Sequence, residues 1–253
     1  MSSAAPSEPR DEPLRSGSDD ATSPARRRGA LYGRRRGRPL RAGQQRLWST
    51  LLPRLQLRLP EPGERLDPSA LFAAPPGDLW LEIGFGGGEH LAAQAAAHPG
   101  IGMIGCEVFE NGIVKLLGEI ERRRLANIRI LTDDGRLLLS ALPEASLGRV
   151  FILFPDPWPK QRHHKRRLVS TATLDALARV MKGGAELRVA TDDRSYLLWM
   201  LQRVPTHPAF EWLAKGPADW RTRPADWPAT RYEAKAVAAG RAPVFLRLRR
   251  RSR

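Results

Sequence analysis

Leu79-Trp80-Leu81-Glu82-Ile83-Gly84-Phe85-Gly86-Gly87-Gly88 decides the fold of this 253-residue chain. Five mostly apolar residues form a strand, and the glycines after them allow a sharp turn and close backbone approach. An alanine-rich helix then runs from Glu89 to Ala97 and stops at His98-Pro99-Gly100. The same alternation continues downstream. A second strand, Ile101 to Cys106, meets Glu107, and a helix follows with apolar positions Ile113, Leu116, Leu117 and Ile120. A third strand, Ile128 to Leu131, leads to Thr132-Asp133-Asp134, and a fourth covers Val150 to Phe154. A helix from about Ser170 to Met181 is expected to stop at Lys182-Gly183-Gly184. A fifth strand, Glu186 to Ala190, enters Thr191-Asp192-Asp193, which can cap the helix beyond it. This spacing predicts an α/β fold with a doubly wound, mostly parallel sheet flanked by helices. The alternating run Pro243 to Arg249 predicts an antiparallel C-terminal edge strand.

In such folds ligands bind outside the carboxyl ends of the strands. Five polar clusters fall there: Gly84–Gly88, Glu107, Asp134, Asp156–Lys160 and Asp192. The glycine loop narrows the ligand. A P-loop would continue as Gly-Lys-[Ser/Thr], but Gly88 is followed by Glu89. A dinucleotide fingerprint would need glycine at position 89, where the glutamate would instead face a pyrophosphate. The spacing Glu82-x-Gly84-x-Gly86-x-Gly88 suits a ligand with an ammonium group and no phosphate, and S-adenosylmethionine is one. Glu107 is placed to accept from ribose hydroxyls. Asp134 is placed either to accept from the adenine amine or to cap a helix.

The most distinctive stretch is Phe154-Pro-Asp-Pro-Trp-Pro-Lys-Gln-Arg-His-His-Lys-Arg-Arg167. Pro155, Pro157 and Pro159 forbid helix and ladder alike, so the chain leaves the sheet here carrying Asp156, Trp158 and five basic side chains. An acid and an indole beside a cationic strip suit a site that handles a base within a polyanion. Trp158 fits a base-stacking role and a wall role equally.

The net charge of +15 is concentrated. Residues 21–46 hold nine arginines, residues 160–167 five basic residues and residues 241–253 six arginines, none of them accompanied by an acid. The rest of the chain has 22 basic and 27 acidic residues. Such segments suit phosphate neutralisation. They lack the apolar face that a membrane surface requires, and no apolar run approaches spanning length. The Ser/Pro-rich, acidic start has no apolar segment of a secretory signal, and residues 1–30 are expected to be a disordered extension. A single cysteine, Cys106, excludes a disulfide framework and a cysteine-based zinc cluster, so no metal is assigned and a cytoplasmic location is expected.

Together these motifs resemble the bacterial tRNA (guanine-N7-)-methyltransferases. The resemblance runs from about Leu31 to Arg249. It rests on Leu81-Glu-Ile-Gly-Phe-Gly-x-Gly88, Ile104-Gly-Cys-Glu107 and Phe154-Pro-Asp-Pro-Trp-x-Lys160 with Arg162-His-x-Lys-Arg-Arg167. Ala190-Thr-Asp192, Thr230-x-Tyr-Glu-x-Lys235 and the arm Tyr32-Gly-Arg-Arg-Arg-Gly-Arg38 extend it. The arm departs from the family in having Arg-Pro-Leu after Gly37. The resemblance implies a Rossmann-like methyltransferase domain over 31–253, with a basic arm at 31–60. It implies S-adenosyl-L-methionine as cofactor and methyl transfer to N7 of guanosine 46 in the tRNA variable loop. Glu82, Gly84, Gly86, Gly88, Glu107, Asp134 and Asp156 would bind or enclose the cofactor. Lys160, Asp192, Thr230, Arg231, Tyr232 and Glu233 would contact tRNA. Asp156 would be the catalytic group, and the protein would work as a monomer or homodimer without an obligatory protein partner.

Guanine N7 carries a lone pair and no proton, so Asp156 is read as an orienting, charge-complementing group rather than a base. Three other readings compete. An exocyclic-amine methyltransferase would place its acid one position earlier than Pro155-Asp156-Pro157-Trp158 does. A cysteine-nucleophile enzyme would need Cys106 outside strand two. A non-catalytic RNA-binding protein would not need an intact glycine loop with Glu107.

Overall fold

The computed structural model describes residues 33–252. The expected disordered start, residues 1–30, lies outside the described residues. Helices α1 (Ala42–Thr50) and α2 (Leu52–Leu55) precede β1 (Asp78–Ile83). The alternating part follows as α3 (Glu89–Ala97), β2 (Ile101–Cys106), α4 (Glu110–Arg123), β3 (Ile128–Leu131), α5 (Gly135–Ala141), β4 (Leu147–Leu153), α6 (Thr171–Val180), β5 (Met181–Thr191) and α7 (Arg194–Leu201). The chain closes with β6 (Phe210–Trp212), α8 (Ala218–Arg221), α9 (Arg231–Ala238) and β7 (Val244–Arg250).

The seven strands lie in the order β3-β2-β1-β4-β5-β7-β6. The first five are mutually parallel, with Glu82 opposite Gly105 on one side and Phe151 on the other. At the C-terminal end of the sheet β7 runs antiparallel to β5, as its alternation predicts. The three-residue β6 adds antiparallel to its outer side, so β7 is paired on both edges. No sequence run announced β6, because three residues carry too little pattern.

Strand periodicity sends alternate residues of β1 to two cores. Leu79, Leu81 and Ile83 pack with residues of α5, α6 and α7, while Trp80 packs with residues of α1 to α4. Fully buried leucines such as Leu81, Leu91 and Leu116 each contribute roughly 1.5–3 kcal/mol from apolar burial. Helix α6 ends at Val180, and Met181 already pairs with Leu147, so Lys182-Gly183-Gly184 is no helix stop. The pair register jumps from Leu147↔Met181 to Arg149↔Glu186, and Gly184 absorbs the irregularity at φ 80°. Strand order reverses between β1 and β4, and that crevice is where a ligand site is expected.

Candidate active site

A cavity of about 390 Å³ opens at this crevice. The glycine turn after β1 forms its floor. Gly84, Gly86 and Gly88 take φ of 77°, 56° and 77°. At Gly88 the left-handed conformation also lets α3 start against Leu116, where a Cβ would come within 2.7 Å of that side chain. At Gly86 a Cβ would meet the Tyr232 ring at 2.8 Å. Gly84 and Gly86 line the cavity, whereas Gly88 supports it from below.

Glu107 stands at the end of β2, beside the glycine turn. Its Oε1 accepts from the backbone N–H of Val108 (2.7 Å) and Phe109 (3.0 Å), and its Oε2 from that of Gly86 (2.8 Å). Burial still pushes its pKa up, because desolvation outweighs those three donors. Asp134, at the end of β3, lines the cavity but also caps α5 by accepting from the Arg136 N–H at 2.9 Å. Arg136 pairs with the same carboxylate at 2.5 Å, so the helix-cap alternative for Asp134 is realised.

Asp156 enters from the loop after β4. Its carboxylate accepts no hydrogen bond among the described residues. Part of it meets solvent, yet the cavity walls remove enough water to raise its pKa. The backbone around it is constrained. Phe154 and Trp158 adopt φ of 51° and 44°, a region that bulky residues avoid at a cost of about 1–3 kcal/mol each. Arg167 holds this shape from behind. It is 3% exposed and donates to the Pro157 carbonyl (2.8 Å) and to Ser195 Oγ (2.9 Å). Its guanidinium also lies over the Tyr196 and Trp199 rings. The expectation that Arg167 belongs to the phosphate-facing strip is therefore corrected, since burial and two acceptors commit it to the fold. Arg166 instead lies over the Trp158 ring at 4.9 Å, and both side chains line the cavity. Lys160, Arg162 and Lys165 stand exposed outside it.

The remaining expected residues are distributed as follows. Tyr232 lines the cavity, and burial together with the Glu107, Glu89 and Asp156 charges raises its pKa. Thr230 caps α9 by accepting from the Glu233 N–H, and Glu233 pairs with Arg223 at 3.0 Å. Arg231 reaches toward Glu89 at 4.0 Å. Asp192 pairs with Arg241 at 2.7 Å and does not line the cavity. Glu82 is not brought there either. It points to the α3 face, 2% exposed, and accepts from His90 Nδ1 at 2.7 Å.

Two contributions went unread in the sequence. Gly33 and Arg34 of the basic arm line the cavity. The arm lies along the start of α4, with Arg36 paired to Glu110 at 2.8 Å and Gly37 N–H donated to Asn111 at 2.7 Å. The signal was present in Gly37, since a Cβ there would come within 2.3 Å of Asn111 Oδ1, but only the fold reveals that neighbour. Cys106 also touches the cavity, yet burial and the Asp134 and Glu107 charges push its thiol far up, away from a nucleophilic role.

A doubly wound sheet with a glycine turn and a carboxylate-bearing crevice at its switch point suits a methyltransferase, and residues 77–246 match the family model described as "Putative methyltransferase". The chain is 58% identical over 225 residues to the tRNA (guanine-N(7)-)-methyltransferase of Rhodospirillum rubrum, covering 88% of each chain. It is 55% identical over 230 residues to that of Paramagnetospirillum magneticum, covering 90% of this chain and 96% of the relative. The chain belongs to the tRNA (guanine-N(7)-)-methyltransferase family. Among solved structures, the 16S rRNA methyltransferase KamB is 14% identical with a TM-score of 0.47, covering 70% of this chain and 89% of that one.

Proposed function

We propose that this chain transfers a methyl group from S-adenosyl-L-methionine to N7 of guanosine 46 in the variable loop of tRNA. The observation that carries this reading is the set of acids that the strand ends bring to the cavity. Glu107, Asp133, Asp134 and Asp156 line it together with Arg34, Arg136 and Arg166, of which Arg136 is paired with Asp134. Lys160, Arg162 and Lys165 stand exposed outside it. Glu107 and Asp156, neither of them paired with an arginine among the described residues, favour a ligand with a sulfonium and an ammonium group. The donor set also fits. Oε2 of Glu107 accepts one backbone N–H, which leaves capacity for a ribose hydroxyl. Gly84 and Gly86 let the backbone approach closely, and the volume lies within the range of small-molecule sites. Glu107 and the glycine turn would hold the nucleoside part, with Asp134 at its far end.

When bound, the cofactor supplies an electrophilic methyl group. The chain supplies alignment and electrostatics. Asp156, with no competing donor, is available to orient the guanine and to favour the positive charge that the purine gains on methylation. No proton leaves N7, so no base is required. Tyr232 and Trp158 both line the cavity and offer aromatic surface to a bound base. Exposed Lys160, Arg162 and Lys165 at the mouth would take phosphates, supplying affinity that salt weakens.

The test is direct. The protein is incubated with unmodified tRNA and S-adenosylmethionine, and the RNA is then reduced and treated with aniline. N7-methylguanosine breaks the chain under these conditions, and exocyclic methylation does not. One enzyme-dependent break in the variable loop is expected. Incorporation of methyl without a break would favour the exocyclic-amine chemistry, and a break elsewhere would reassign the target nucleotide.

A further inference from the structure

Glu82 begins a buried polar chain. With its carboxylate accepting, His90 Nδ1 carries the ring proton at 2.7 Å, and His90 Nε2 is left to accept from Gln94 Nε2 at 3.4 Å. Gln94 Nε2 also donates to the backbone carbonyl of Asp226 at 3.0 Å. Glu82, His90 and Gln94 are each 2% exposed, and none of them lines the cavity. The chain thus ties β1 and α3 to a segment 132 residues further on than Gln94.

That segment is held from three more sides. Asp226 pairs with Arg188, itself 1% exposed, at 2.6 Å. Trp227 is buried, its ring 5.3 Å from Phe245 and 6.2 Å from His90. Arg223 donates to the Trp227 carbonyl and pairs with Glu233. Pro228 and the Thr230 cap leave the short link to α9 little freedom. The first turn of α9 then carries Tyr232, whose ring lies against Gly86 and in the cavity with Glu107 and Asp156. Apolar burial of Trp227 alone would tolerate sliding. A hydrogen bond from Gln94 to one carbonyl is satisfied in one seat only.

We propose that Glu82, His90 and Gln94 are positioning residues: they seat the Asp226–Trp227 segment and thereby set Tyr232 over the glycine turn. This rests on the methyltransferase reading only for its catalytic readout. Tyr232 spans the floor and the wall of the cavity, so a shift of about 1 Å in its seat is enough to cost up to 10²-fold in rate.

The experiment is a double-mutant cycle of Gln94→Leu and Tyr232→Ala, read as kcat/KM for tRNA. Gln94→Leu alone is expected to lower it about tenfold, and to add nothing once Tyr232 is alanine. Equal losses in both backgrounds, or no loss with Tyr232 intact, would overturn the proposal. If Gln94→Leu fails to fold, Gln94→Met replaces it, since it keeps the side chain's length and removes the donor to the Asp226 carbonyl. Amide exchange over residues 226–233 reads the seat without catalysis. It is expected to quicken in the variant while β1 and α4 are unchanged, and wild-type exchange there would equally refute the positioning. An inactive wild type with quickened exchange in the variant would reject the methyltransferase reading and leave the seat standing.

Discussion

The loop segment 160–167 and strand β7 read alike as basic segments without an acid, and the fold uses them in opposite ways. β7 is paired on both edges, so its cations meet acids on neighbouring strands. Arg247 pairs with Glu186 at 2.6 Å, and Arg249 lies 4.0 Å from Glu211. Arg250 is 7% exposed and donates to the Ala178 carbonyl. Among the described residues the proline-bounded loop offers no such neighbours to Lys160, Arg162 and Lys165, which are exposed, while Arg167 turns inward to hold the turn. A run of positive charge is therefore a binding surface only where the backbone carries it away from acids. Of the three basic segments the C-terminal one is largely spent within the fold, through Arg241, Arg247, Arg249 and Arg250.

The largest effect expected is at the acid that the loop presents. Asp156→Ala should lower kcat by about 10²-fold or more while leaving tRNA affinity within about twofold. Single-turnover rates in H₂O and D₂O should coincide, and a clear solvent isotope effect would make Asp156 a base after all. Next is the loop's anchor. Arg167→Ala removes two charge-assisted bonds and ring contacts, and should cost about 2–3 kcal/mol in denaturant unfolding. Arg247→Ala breaks a rim pair, and should cost no more than about 1 kcal/mol. Equal costs would erase the distinction between anchor and rim. The smallest effect concerns salt. Replacing Lys160, Arg162 and Lys165 with alanine should lower the slope of log affinity for tRNA against log salt by about 2–3, at 0.7–0.9 per phosphate contact. Replacing Arg247 and Arg249 should leave it unchanged, and a matching loss there would return β7 to the binding surface.

Much of this was legible from local pattern. β1 to β5 announced themselves because buried parallel strands are short apolar runs bounded by turn residues, and α3 matched its expected span from Glu89 to Ala97. The strand ends bring Gly84, Gly86, Glu107, Asp134 and Asp156 to one cavity. Tyr232, expected from the family resemblance to contact tRNA, lines the same cavity. Two acids near strand ends lie outside the cavity for one reason. Glu82 and Asp192 also sit at strand ends, but their partners, His90 and Arg241, come from α3 and from the turn before β7. Proximity of that kind has no local signature. The arm shows the converse: Gly33 and Arg34 read as part of an RNA-binding tail and became cavity wall.

By itself the sequence determined the doubly wound sheet, the switch-point crevice and the chemistry of its rim, because these follow from periodicity, glycine turns and the residue types at strand ends. Only the tertiary structure decided which acids face the cavity, which arginines remain at the surface and how Tyr232 is seated. Those outcomes depend on burial and on hydrogen bonds between segments far apart in the chain, where a side chain's role is set by what happens to pack against it.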